Sequence, residues 1–189
     1  MLNIAFYGKS GVGKSTITRL ATEFFEKKGL SVKNVKLAYP LYQLQNQFYE
    51  IAGVHCNFFD QNQSLLEDIA RHLRMINPEV LINDFNKRYN NTIADIVIND
   101  DIRDTTVDYP HFCMMNFHFI KIVCEENKRL ARLSNRKDLN TIFNSKTTDC
   151  IDDIKADFII DTSYESEEVL KSKLESFLED LWSKYDSDR

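Results

Sequence analysis

The chain opens with "LNIAFY", residues 2–7, an apolar run of the length of a buried strand, and then breaks into a glycine-rich stretch. Beyond it the apolar positions change period. Ile17, Leu20, Ala21, Phe24 and Phe25 share one face of a helix between Lys14 and Lys28, and Gly29 stops it. "SVKNVKLA", residues 31–38, returns to strand character and ends before Pro40. Strand, helix and strand in this order predict a βαβ unit, and with it a parallel sheet covered by helices.

Residues 41–89 read almost entirely as helix. Leu41, Leu44, Phe48 and Ile51 form a stripe closed by Gly53; Leu65, Leu66, Ile69, Ala70 and Leu73 form a second; Val80, Leu81 and Phe85 form a third behind Asn77-Pro78. So long a helical insertion between strands predicts a cap, about residues 41–90, over the sheet's carboxyl edge. Strand patterns return at "TIADIVIND" (92–100), "NFHFIKIVCE" (116–125) and "ADFIID" (156–161). "HFCMMNFHF" reads as core or as the sticky start of a strand, and a basic helix, "ENKRLARLSNRKD", follows. A closing helix carries Leu170, Leu174, Phe177, Leu178, Leu181 and Trp182. The expectation is one three-layer α/β domain over residues 1–189, with about five parallel strands and helices on both faces.

Composition narrows the class. A chain of 189 residues can build a real core, burying roughly 70% of its unfolded surface. Apolar residues at 43% and charged residues at 28% are ordinary for a soluble globular protein. A net charge of −5 and a pI near 5.4 argue against a nucleic-acid-tracking surface. Cys56, Cys113, Cys124 and Cys150 show no CxxC spacing and read as free thiols. No signal-peptide pattern precedes the first strand, and no apolar run approaches the ~18 residues of a membrane span. The expected setting is cytoplasmic, with no membrane and no nucleic-acid partner.

The candidate chemistry starts at Gly8-x-x-x-x-Gly13-Lys14-Ser15, a full phosphate-binding P-loop pattern between a strand and an amphipathic helix. Gly8, Gly11, Val12 and Gly13 would turn backbone N–H groups toward phosphate oxygens, and the helix adds its positive dipole end. Lys14 would supply a charge to the β- and γ-phosphates, Ser15 a hydroxyl to Mg²⁺, and Thr16 an α-phosphate contact. The expected cofactors are ATP and Mg²⁺, on a P-loop NTPase fold. "IVINDDIR" then places Asp100, Asp101 and Arg103 at a strand end, where a carboxylate can hold Mg²⁺ or orient an attacking oxygen; a helix cap or solvated turn is the plainer alternative. Arg129, Arg132 and Arg136 share a helix face and could reach transferring phosphates, or simply face solvent. Arg71 and Arg74 could clamp an acceptor phosphate. His55, Cys56, His111, Cys113 and His118 do not match a zinc spacing and read as packed or surface side chains.

These segments together resemble the nucleoside and nucleotide kinases with a P-loop, most of all the phage-type deoxynucleoside monophosphate kinases. "LAYPL" (37–41) is similar to that family's "ADPL" turn, "SLLEDIARHLRMINPE" (64–79) to its cap segment, Asp101-Ile102-Arg103 to its "DVR", and "SKTTDCIDDIKADFIIDTS" (145–163) to its downstream region. The resemblance implies phosphoryl transfer from ATP to a (deoxy)nucleoside monophosphate by a monomer or homodimer. It implies Lys14, Asp101, Arg103, Arg129 and Arg132 in catalysis, Ser15 and Asp101 at Mg²⁺, and Arg71, Arg74 and Arg103 at the acceptor. It also implies a small lid over about residues 129–147 and an adenine border near Asp161 to Ser163. Three positions depart: Tyr39 stands where the family has aspartate, no glutamate follows soon after "DIR", and Ser145-Lys146 replaces the lid's "SE".

Two other classes stay in view. A regulatory GTPase would need an Asn-Lys-x-Asp stretch, whereas "NRKD" (135–138) has the wrong order. A non-catalytic nucleotide sensor, or a kinase of another small phosphorylated metabolite, fits the same loop.

Overall fold

A computed structural model describes residues 1–136, 138–141, 151–163 and 166–187. Its centre is a five-stranded parallel sheet built from β1 (Leu2–Tyr7), β2 (Val32–Asn34), β3 (Ile96–Asn99), β4 (Phe117–Val123) and β5 (Phe158–Asp161), in the order β2-β3-β1-β4-β5. The expected strand count and direction are met, while β2 is shorter than the run 31–38.

The period of two along each strand sorts side chains into two cores. Leu2, Ile4 and Phe6 of β1, with Ile96, Ile98, Ile120 and Ile122, face the layer made by α1 (Lys14–Lys27) and α7 (Glu167–Ser187). Ala5 and Tyr7, with Val97, Phe117 and Phe119, face the opposite layer. All six residues of β1 are buried, as a central parallel strand requires. Each fully buried Ile or Phe contributes ~1.5–3 kcal/mol relative to exposure.

Helix α1 ends in a Schellman turn: Gly29 at φ 77° lets its N–H reach Glu26 O while Leu30 N–H reaches Phe25 O. The cap consists of α2 (Tyr39–Ile51), α3 (Gln63–Ile76) and α4 (Val80–Asn90). Helix α5 (Asp108–Met114) replaces the strand-like start read at "HFCMM", and α6 (Glu126–Ser134) is the basic helix. Among the described residues no helix is long and apolar enough to cross a membrane.

Candidate functional site

The glycine loop leaves β1 at the sheet's carboxyl edge and runs straight into α1. Gly8 holds φ 146° with its Cα so close to β4 that a Cβ would stand 2.3 Å from Ile122 O. Gly11, at φ 86°, is as tightly placed, since a Cβ there would meet Leu133 Cγ at 2.7 Å. Both positions exclude a side chain, so the loop's backbone is pressed onto β4 and α6.

Two of the expected catalytic arginines turn out to hold this loop. Arg129 is 4% exposed and is gripped by Glu126, through Nε (2.8 Å) and Nη2 (2.6 Å), while Nη1 donates to Ser10 O at 3.0 Å. Arg132 donates from Nη1 to Thr162 Oγ1 (2.9 Å) and from Nη2 to Thr162 O (2.8 Å), and Thr162 Oγ1 donates to Val12 O at 2.7 Å. Both guanidinium groups therefore brace the P-loop from α6. Arg136 lies nearer the opening: it pairs with Asp138 at 3.0 Å, and its Nη1 is 3.4 Å from Ser10 Oγ. The remaining lid positions, 137 and 142–147, fall outside the described residues, as do the departures Ser145 and Lys146.

At the start of α1, Lys14 Nζ donates to Gly8 O (2.7 Å) and Lys9 O (3.1 Å). The residue as a whole is partly exposed, but its ammonium group is enclosed, and burial together with repulsion from Arg103 and Arg136 pulls its pKa down to about 7. Ser15 is exposed on the first turn and Thr16 is partly buried.

The adjacent aspartates divide their work. Asp101 accepts from Leu37 N–H (2.8 Å) and Asn99 Nδ2 (2.7 Å) on Oδ1, and from Ala38 N–H (3.0 Å) on Oδ2. Both its oxygens thus anchor the segment that leads into α2. Asp100 faces α1: Oδ2 accepts from Thr18 Oγ1 at 3.3 Å, one turn beyond Ser15, and Oδ1 pairs with Lys36 Nζ at 2.6 Å. Burial works against the Lys36 charge, but Asp101 and Asp100 outweigh it and hold its pKa above the ordinary value. Buried Asn99 ties the turn together, donating to Val35 O (3.0 Å) and accepting from Ile102 N–H (3.2 Å). Asn99, Thr18 and Lys36 carried no motif signal in the sequence.

Between the cap and this turn lies a cavity of about 550 Å³, within the usual size of a small-molecule site. Its apolar wall includes Leu37, Leu41, Leu66 and Leu81, with Tyr42 beside them, and its amides are Gln61 and Gln63. Gln63 Nε2 also donates to Ser10 Oγ at 3.0 Å, which joins cap and P-loop directly. Arg71, Arg74 and Arg103 all line this cavity. Their settings differ. Arg71 is exposed and pairs with Asp68 at 2.9 Å. Arg74 is bound through Nη2 to both oxygens of Asp108 (3.0 and 2.9 Å), with Nη1 3.6 Å from Asp104. Arg103 makes no recorded ion pair or hydrogen bond among the described residues, and its charge acts on Lys14. Tyr39 does not line the cavity; its ring turns toward Phe58, at 5.2 Å, and Arg88.

Asp108 is 1% exposed, and burial raises its pKa to about 6 even with Arg74 opposing. The unfolded carboxyl ionises first, so its contribution to stability falls as pH rises from 3.8 through about 6. Arg74→Met strips this buried anion of its partner. The substitution is expected to cost ~3–5 kcal/mol well above pH 6 and much less in acid, where Asp108 is protonated; urea midpoints at the two pH values check it.

Among the described residues no three His, Cys, Asp or Glu side chains gather as a metal site. Mg²⁺ bound chiefly through a nucleotide's phosphates needs only one or two protein oxygens; the exposed Ser15 hydroxyl fits that demand, and the Asp100 carboxylate, held by Thr18 and Lys36, would meet the ion through water.

Solved structures share this fold. A shikimate kinase from Acinetobacter baumannii in complex with shikimate superposes with a TM-score of 0.53 at 14% identity, covering 97% of this chain and 94% of that one. The chain has the P-loop kinase fold. A gluconokinase from Sinorhizobium meliloti 1021 (TM-score 0.50, 13% identity, 100% and 98% covered) and a shikimate kinase from Aquifex aeolicus (TM-score 0.50, 16% identity, 96% and 99% covered) are similar in the same way. No protein-family model matches the sequence, and no curated protein matches it by sequence. The kinase fold is common to these structures at identities that speak to architecture alone.

Proposed function

We propose that this chain transfers the γ-phosphoryl group of ATP to the phosphate of a (deoxy)nucleoside monophosphate held under the cap. The observation that carries the reading is the join of P-loop and acceptor cavity: Gln63 of the cavity wall donates to Ser10 Oγ at 3.0 Å, and Arg103 lines the same wall. Burial lowers the pKa of Lys14, and repulsion from the Arg103 charge lowers it further. A phosphate between them turns that repulsion into attraction on both sides.

In this reading the loop N–H groups from Gly8 to Thr16 cradle the donor phosphates, with Lys14 on the β- and γ-groups. Ser15 and Asp100 would hold Mg²⁺, which neutralises charge on the bound phosphates. An oxygen of the acceptor phosphate attacks the γ-phosphorus as the bond to the departing ADP breaks, and Arg103 neutralises charge between the two. Arg71 leaves its exposed pair with Asp68, a contact of little energy, to meet the acceptor phosphate. Tyr42 and the leucine wall receive the base and Gln61 its polar edge. An acceptor phosphate is already ionised, so no carboxylate base is needed. That suits a site where both oxygens of Asp101 are engaged and Tyr39 stands in the aspartate's place.

A second reading, transfer to another small metabolite, draws on Asp104 in the cavity wall and on fold neighbours named for shikimate and gluconate. Calorimetry with a bisubstrate analogue, adenosine joined through a polyphosphate to a nucleoside, separates the two. Proposed transfer between nucleotides requires that it compete with both ATP and a monophosphate; competition with ATP alone defeats it.

Nucleotide binding should also move a proton. The free protein holds Lys14 with a pKa of about 7, and bound polyphosphate restores its charge. Between about pH 7 and 10, ATP is expected to bind with proton uptake, its affinity falling up to about tenfold per pH unit. Titration in buffers of different ionisation enthalpy measures that uptake.

A further inference from the structure

A second cavity, of about 470 Å³, opens at the sheet edge formed by β2 and is separate from the acceptor site. Lys33, Lys36 and Arg88 line it together with the rings of Tyr39 and Phe59. No carboxylate lines it, in a chain whose net charge is −5.

Arg88 and Lys36 are set in place. Arg88 is fixed to Asp84 on its own helix, with Nε and Nη2 both 2.7 Å from Oδ2, and its guanidinium lies 4.9 Å over the Tyr39 ring. Lys36 Nζ is paired with Asp100 and stands 5.9 Å from the Phe59 ring centre. Those two carboxylates stand outside the cavity wall, so what lines it is cationic and aromatic. Lys33 is exposed on β2. Phe59 is 51% exposed, a large apolar ring left open to solvent on the cavity's rim.

We propose that this edge cavity binds a small aromatic phosphate. The rings of Tyr39 and Phe59 stack on the aromatic part, and Arg88 takes the phosphate with Lys33 close by. The chemistry is a planar, delocalised fork and a point charge beside two π-faces, a combination that recognises an aromatic anion rather than an apolar ligand or a sugar. The site does not depend on phosphoryl transfer.

Pyridoxal 5′-phosphate is a suitable probe, because it is an aromatic phosphate whose aldehyde forms an imine with a lysine amine and releases water. The full chain is treated with the probe, reduced with borohydride and mapped by mass spectrometry, which reads Lys33 apart from Lys14. Lys33 is expected to be labelled about fivefold or more faster than exposed Lys27 and Lys184, the gain that a single favourable charge contact supplies. Arg88→Gln and, separately, Phe59→Leu should bring Lys33 down to the rate of those two reference lysines, whose own labelling stays constant in the same samples. Labelling of Lys33 no faster than the references, or unaffected by both substitutions, overturns the proposal.

Discussion

Lys14→Ala is expected to lower turnover with ATP–Mg²⁺ by about 10³-fold, the scale on which a preorganised charge at transferring phosphates acts. The same change should leave the ligand-free protein at least as stable as its parent, apart from the two hydrogen bonds to Gly8 O and Lys9 O. The reason is the setting of the ammonium group, which is enclosed and repelled by Arg103 and Arg136. The unfolded lysine titrates near 10.5 and the folded one near 7, so in that window the unfolded chain binds more protons. Stability of the parent therefore rises with pH from 7 toward 10, and the rise should vanish in the variant. Chemical denaturation across that range reads both effects. A variant that loses stability equally at every pH would assign Lys14 a structural role instead.

Arg103→Ala should separate donor binding from transfer. Arg103 lines the acceptor cavity and makes no ion pair or hydrogen bond among the described residues, whereas Arg74, Arg129 and Arg132 are each bound to protein groups. Loss of Arg103 is expected to cut kcat by ~10²–10³-fold while ATP affinity changes only a few-fold. Removing its charge also relieves Lys14, so the proton uptake on ATP binding should shrink. Calorimetry and steady-state kinetics on one preparation test both parts. Equal losses in ATP binding and turnover would place Arg103 on the donor side.

The sequence made the P-loop legible because its chemistry is local: glycines, lysine and hydroxyl at fixed spacing between a strand and a helix. The strands were legible because β1, β3 and β4 are buried apolar runs. Strand β2 came out shorter than its run because the N–H groups of Leu37 and Ala38 leave the sheet for Asp101. Helix α5 was hidden by its apolar residues and Pro110, yet proline is tolerated in a first helical turn, and the turn at Asp104, which accepts from Thr106 and Val107 N–H, starts the helix. Adjacent aspartates cannot be told apart by pattern; which one meets α1 depends on the faces that neighbouring residues present at the end of β3. The arginines of α6 do share a face. That this face turns toward the P-loop depends on Glu126 and Thr162, and Thr162 lies 30 residues from Arg132.

The most direct test of the account is product formation: ATP–Mg²⁺ incubated with the full chain and a panel of nucleoside and deoxynucleoside monophosphates, with diphosphates read out by chromatography. The account predicts a new nucleoside diphosphate from one or a few acceptors, absent with Lys14→Ala. ATP binding with no monophosphate converted would contradict it.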